Sequence, residues 1–325
     1  MLSDVETVYD LHCGQDQHVY EEGAGFLKYV EYETHRELGG ELTKLDSANK
    51  ILFGDGLLST LGEQHRKQRK MLNPVFSIAH MRDMMPIFHE VTSRLHEAIL
   101  SQVKDVPKEI DMLQWTTRTA LELIGQCGMG YPLDSLDVDV KNADLHPYSR
   151  SAKQLGCVLA SVPSCARGFL MTEFLFPLVN RINLPRFKRW IVDRLPLQWV
   201  QDMKNIVDII QETAEDICST KRKAILNGYG DDGKKDIISI LIRANASAAE
   251  EDRLSDDEVQ AQVATLTFAA MDTTSSALSR TLGLLAEHPD VQDKLRAELR
   301  EAKGDNGGED LGYDQLVSLP YLDAV

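Results

Sequence analysis

The chain has 325 residues, long enough to bury one large core or two smaller ones. Its net charge of −16 excludes a general nucleic-acid binder, which needs a basic surface against phosphates. Five cysteines (Cys13, Cys127, Cys157, Cys165 and Cys218) form no Cys-x-x-Cys pair and are odd in number, which argues against a disulfide framework or a structural zinc and for a reducing compartment.

The N-terminus, MLSDVETVYD, lacks the basic-then-apolar layout of a signal peptide. Short pieces near it are the only candidate strands. Thr60 and Glu63 have capping-box spacing and predict a helix from about 60 to 73, stopped by Pro74. Pro86 suits the first turn of the next helix, which carries Val91, Leu95 and Ile99 on one face. Asp111 can cap a third, closed by Gly128 and Gly130. An amphipathic stretch runs from Trp199 to about Leu226 and stops at Asn227-Gly228. The run 235–244 makes a short apolar helix. Ser255 and Glu258 form a second capping box, opening a long helix over about 256–287 that ends near His288-Pro289, and 290–302 continues as an amphipathic helix. No apolar run approaches the ~18–20 residues of a spanning helix, so the chain as written reads as soluble or peripherally membrane-bound. The fold class expected is mainly α, with residues 1–325 as a single unit.

The long helix raises a question. Val259, Val263, Leu266, Ala270, Ala277, Thr281 and Leu285 follow three- and four-residue steps, and little between Gln262 and Arg280 is strongly polar. Such a helix is expected inside the protein. Yet FAAMDTTSSALSR places Asp272, Thr273 and Thr274 at its middle, and an uncompensated buried carboxylate would cost several kcal/mol or shift its pKa. One account has the hydroxyls bonding back to i−4 carbonyls while Asp272 faces an internal cation or water. The other has the helix lining a cavity, where a carboxylate beside a hydroxyl relays protons. The small Ala269-Ala270 pair then leaves room for a ligand.

AAMDTT resembles the oxygen-activation motif of the cytochrome P450 family, usually Ala/Gly-Gly-x-Asp/Glu-Thr-Thr/Ser; the family's common Gly is Ala270 here. The resemblance gives Thr273 the oxygen-binding role and Asp272 the delivery of protons for O–O cleavage, with Ala269, Ala270 and Thr274 around the oxygen groove and Phe268 shaping the substrate cavity. GEQHRKQRKMLNPVF (62–76) is similar to the family helix whose Trp-x-x-x-Arg binds a heme propionate. Counting back from Pro74-x-Phe76 puts Arg69 at the Arg position and His65 at the Trp position. At i, i+4 they share a helix face, and a guanidinium fork matches a carboxylate. WTTRTALELIG (115–125), EHPDVQDKLRAEL (287–299) and YDQLVSLPYLDAV (313–325) also resemble family segments, the first particularly in fungal members. DQHVYEE (16–22) resembles the helix before the substrate-binding loop. The resemblance implies a heme b cofactor, NADPH electrons passed through a reductase, O2, a lipophilic substrate, and a place on the cytosolic face of the endoplasmic reticulum membrane.

The family's Phe-x-x-Gly-x-x-x-Cys-x-Gly loop, whose thiolate binds the iron, occurs nowhere in the sequence, and the Glu-x-x-Arg spacings at 33–36, 63–66 and 250–253 all precede the oxygen-activation stretch, whereas the family's Glu-x-x-Arg helix follows it. The expectation is therefore an incomplete cytochrome P450 fold without the N-terminal anchor and sheet or the C-terminal heme-binding part. Such a chain is inactive alone, carries no metal-ligating residue, and leaves the apolar surface around Asp272 uncovered. A heme-free helical interaction protein derived from the same fold stays open as an alternative. Residues 161–196 reverse the overall charge, with Arg167, Arg181, Arg186, Lys188, Arg189 and Arg194 among aromatics, a composition suited to peripheral membrane contact. Acidic SDDEV (255–259) is accounted for by capping, and NGGED (306–310) reads as a loop. The five cysteines read as buried small hydrophobes or idle thiols.

Overall fold

A computed structural model describes residues 49–50, 52–104, 108–134, 136, 148, 190, 192–194, 196, 198–226 and 236–325, and every regular element among them is a helix. The strand candidates near the N-terminus, DQHVYEE and most of 161–196 lie outside the described residues, as do Cys13, Cys157 and Cys165.

Helix α1, Gly62–Leu72, begins differently from the sequence expectation. Its N-cap is Leu61, with no side-chain cap. The Thr60 hydroxyl instead lies 3.1 Å from the Gly56 carbonyl and 3.0 Å from Gln68 Oε1. A buried amide thus takes the hydroxyl that the Thr60–Glu63 capping box would have used. The chain then passes through a 3-10 turn, Asn73–Phe76, as Pro74 requires.

Helix α2, Ile78–Val103, is capped by Ser77, whose hydroxyl accepts from the His80 N–H at 3.3 Å. Pro86 is therefore inside the helix and not in its first turn. Ser77 supplies an earlier start, and burial of His80 and Met84 before the proline and Val91 after it holds the helix together through the lost backbone bond. Val91 and Ala98 pack on Trp115 and Leu136 with Leu95 and Ile99, the face the periodicity predicts.

Helix α3, Met112–Leu123, starts at Asp111, which accepts from the Gln114 N–H, and runs into a π-helical turn, Ile124–Met129. Gly130 closes it in the left-handed region (φ 55°). Glycine is needed there twice over, since a Cβ would stand 2.3 Å from Lys221 Nζ and 2.7 Å from Asp236 Oδ2. Those two groups form a buried ion pair at 2.8 Å. Buried Glu122 accepts from the Leu133 and Asp134 N–H groups (2.8 and 2.7 Å), from Gln126 (2.6 Å) and from Arg94 (3.2 Å). Arg118 in turn holds Asp134 at 2.8 Å and stacks over Trp115. Truncating one partner of such a pair costs far more than the pair itself contributes.

Helix α4, Gln198–Leu226, and helix α5, Ile237–Ser247, complete one side of the core. The stop at Asn227-Gly228 lies outside the described residues. Asp236 caps α5 through the Ser239 N–H (2.9 Å). Asn245 is locked by two bonds to the Leu254 backbone, so its side chain serves a turn. Helix α6, Asp256–Glu287, opens on the expected Ser255–Glu258 capping box and packs along α3 and α4. The core joins Leu72, Leu121, Ile206, Ile210, Ile238, Leu241, Val263 and Met271. Each such side chain contributes roughly 1.5–3 kcal/mol by burial. Cys127 and Cys218 are buried in the same interior; loss of hydration pushes their thiols up to about 12 and about 11, so they are inert.

Helix α7, Pro289–Asp305, ends at Asn306 in a turn with Gly307 and Gly308 at positive φ, the expected loop at NGGED. The short helices α8, Tyr313–Val317, and α9, Pro320–Ala324, follow. Glu298 accepts from the Tyr321 and Leu322 N–H groups at 2.8 Å, tying α9 to α7.

Candidate active site

Burial divides α6. From Val259 to Met271 nearly every side chain is buried or half-buried, Ala269 excepted; from Asp272 onward only Ser275 is buried. The expectation of a helix sealed on all sides therefore holds only for its first half. Asp272, Thr273 and Thr274 are exposed, Ala269 is exposed and Ala270 half-buried. Asp272 therefore avoids the cost of a buried carboxylate, because its turn opens onto the uncovered face. Leu278 and Leu282, 42 % and 40 % exposed, extend that face as an apolar strip. Phe268 is half-buried and stacks at a tilt on Phe53, ring centres 5.0 Å apart.

Two hydroxyls of this segment bond to backbone. Thr273 Oγ1 donates to the Ala269 carbonyl at 2.7 Å, and Ser275 Oγ to the Asp272 carbonyl at 3.0 Å. The first of the two sequence accounts thus describes the Thr273 hydroxyl, while Asp272 faces outward and not toward an internal cation. Across the seam, Thr116 Oγ1 on α3 lies 3.1 Å from the buried Ser275 carbonyl, one turn past Asp272, and shares its hydrogen between that carbonyl and those of Met112 (3.0 Å) and Leu113 (3.2 Å).

At the other end of α6 the polar groups are engaged. Glu258 Oε2 accepts from the Ser255 N–H (2.7 Å), while Oε1 accepts from Gln64 (2.9 Å) and Gln68 (3.1 Å) of α1. Burial pulls the Glu258 pKa up, but the bonds from Ser255, Gln64 and Gln68 outweigh it and leave it below the ordinary value of 4.5. Through this carboxylate α1 is fixed to the start of α6, about 21 Å along the axis from Asp272. His65 and Arg69 stand half-buried on that anchored helix, one turn apart. The sequence reading missed Gln64, Gln68 and Thr116. Gln68, fully buried inside a basic heptad, was the available signal.

Each of the two places suits one part of a flat apolar group bearing carboxylates. The α6 turn offers small side chains at 269 and 270 beside an uncovered apolar strip, and α1 offers two cationic or hydrogen-bond donors on one face. Among the described residues no cluster of His, Cys, Asp and Glu could hold a bare metal ion, and no helix is long and apolar enough to cross a membrane.

The family model for cytochrome P450 matches residues 5–325. Cytochrome P450 monooxygenase 91 of Postia placenta is 47% identical over 283 residues, covering 86% of this chain and 50% of the relative. Ganoderic acid synthetase CYP5150L8 of Ganoderma lucidum is 40% identical over 284 residues, covering 85% and 50%. The chain thus spans about half the length of the curated relatives it matches. A crystal structure of a cytochrome P450 (CYP102L1) superposes with a TM-score of 0.61 at 21% identity, over 88% of this chain and 57% of that one, a likeness of fold.

Proposed function

Because the chain belongs to the cytochrome P450 family, we propose that it serves a heme-dependent monooxygenase that inserts one atom of O2 into a lipophilic organic substrate. Electrons come from NADPH through a reductase, at the cytosolic face of the endoplasmic reticulum membrane, with residues 161–196 as a peripheral contact. The observation that carries this reading is the exposed Asp272-Thr273 turn where the sealed first half of the helix ends, just after Ala269 and Ala270. Heme supplies the iron at which O2 is bound and reduced.

The chain's own residues do the rest. Thr273 Oγ1, 2.7 Å from the Ala269 carbonyl, is held at the open face, where it can accept and pass on a proton. The exposed Asp272 carboxylate one residue away exchanges protons with solvent and recharges it. Ala269 and Ala270 keep the groove beside them clear, and Phe268 closes one side of the substrate cavity. Arg69, with its fork, and His65 orient the cofactor by its propionates.

The test is heme retention after expression of the chain, read from the heme absorbance that co-elutes with it. Arg69→Ala is expected to weaken retention about tenfold or more, the loss of one charge-assisted pair. A chain that takes up no heme, or whose heme is indifferent to Arg69, would count against the cofactor assignment and favour a heme-free interaction protein.

A further inference from the structure

Two to three turns before Thr273, α6 carries two buried polar side chains, each with one polar atom left unpartnered among the described residues. Gln262 is fully buried and Thr265 is 3% exposed. Neither Gln262 Nε2 nor Thr265 Oγ1 has a hydrogen-bond partner among the described residues. Both face the same short segment, residues 54–60. The Leu57 N–H donates to Gln262 Oε1 at 3.2 Å, which fixes that amide and aims its Nε2 donors elsewhere. Gly56 lies against Thr265 so closely that a Cβ there would be 2.7 Å from Oγ1 and 2.9 Å from the Ala261 carbonyl. A glycine Cα cannot satisfy a hydroxyl. Buried polar atoms in folded proteins almost always have a partner, and where no protein group serves, ordered water does.

We propose that Gln262 and Thr265 form an internal water site in the seam between α6 and residues 54–60. The chemistry suits water and little else. One side chain offers amide N–H donors and the other a hydroxyl that donates and accepts, roles that a single water can meet at once. Glu258, Gln262, Thr265, Ala269 and Thr273 follow one another at steps of four, three, four and four, so they share one face of α6. The water site therefore lies on the same stripe as the oxygen-activation turn, about 12 Å from Thr273. On the monooxygenase reading it is a store of exchangeable protons behind that turn. This consequence rests on that reading; the site itself does not.

Thr265→Val in the full chain is the test, because the hydroxyl makes no bond to protein and valine has nearly its shape. In a hydrated seam the water loses a partner, and Tm is expected to fall by about 1–3 °C. A crystal structure of the full chain is expected to show a water about 3 Å from both Gln262 Nε2 and Thr265 Oγ1, lost in the variant. A Tm that rises or stays unchanged, or a dry seam in the crystal, overturns the proposal, since removing an unpartnered hydroxyl from a dry interior relieves the protein. Neither measurement involves heme or Thr273. A failed heme-retention test would thus leave this result standing, and the reverse holds as well.

Discussion

The two polar turns of α6 look alike in sequence and differ in what their groups are doing. At Ser255–Glu258 each carboxylate oxygen is engaged, by the cap N–H and by two glutamines of α1. At Asp272–Thr274 the carboxylate is exposed, and among the described residues the one hydrogen bond of these side chains is Thr273 turning back on its own helix. The first turn holds two helices together. The second holds nothing together, and a polar group free of structural duty on a buried helix is one available for chemistry. Position relative to the core separates the two: Glu258 sits where α1 covers the helix, Asp272 where the cover ends.

The largest expected effect is therefore at Glu258. Glu258→Ala leaves Gln64, Gln68 and the Ser255 N–H without their acceptor and should destabilise the fold by about 3 kcal/mol, read by urea or thermal unfolding. Its pH dependence follows from the lowered pKa. A group whose pKa is lower folded than unfolded contributes fully above its ordinary value of 4.5 and loses that contribution as pH falls through the folded value. The gap between wild type and variant should accordingly be widest near neutrality and close on acidification below about pH 4.5. A gap that widens in acid would mean Glu258 is held protonated and the network is misassigned.

Thr116→Val comes next. It removes the one side-chain bond from α3 to the Ser275 carbonyl, at the border between the covered and uncovered halves of α6, and should cost about 1 kcal/mol. A negligible cost would show that apolar packing alone keeps the border in place.

How much of this was legible in the sequence follows from the range of the forces involved. The caps at Asp111 and at Ser255–Glu258 are bonds over three residues and were read correctly. Thr60 had the same local signature, yet Gln68, eight residues on, took its hydroxyl. Pro86 had the signature of a helix start, and Ser77 with the buried neighbours of the proline overrode it. The oxygen-activation stretch stood out because it is contiguous. Its exposure did not, because which half of an apolar helix is covered depends on α1, α3 and α4, brought against it from as far as 194 residues away.

The smallest stability effect is expected at Asp272, where the contrast can be broken most directly. Asp272→Asn keeps the shape and removes the charge of an exposed side chain, so its unfolding free energy should stay within about 0.5 kcal/mol of wild type. In a heme-loaded protein that includes the family's C-terminal heme-binding part, the same change removes a group able to take up and give protons, worth about 10²-fold in a proton-limited rate. Stability and turnover should therefore separate at Asp272 and move together at Glu258. An Asp272→Asn protein destabilised as severely as Glu258→Ala would show that this carboxylate is structural after all. The difference between the two turns would then lie in exposure alone, with no reserve of uncommitted chemistry behind it.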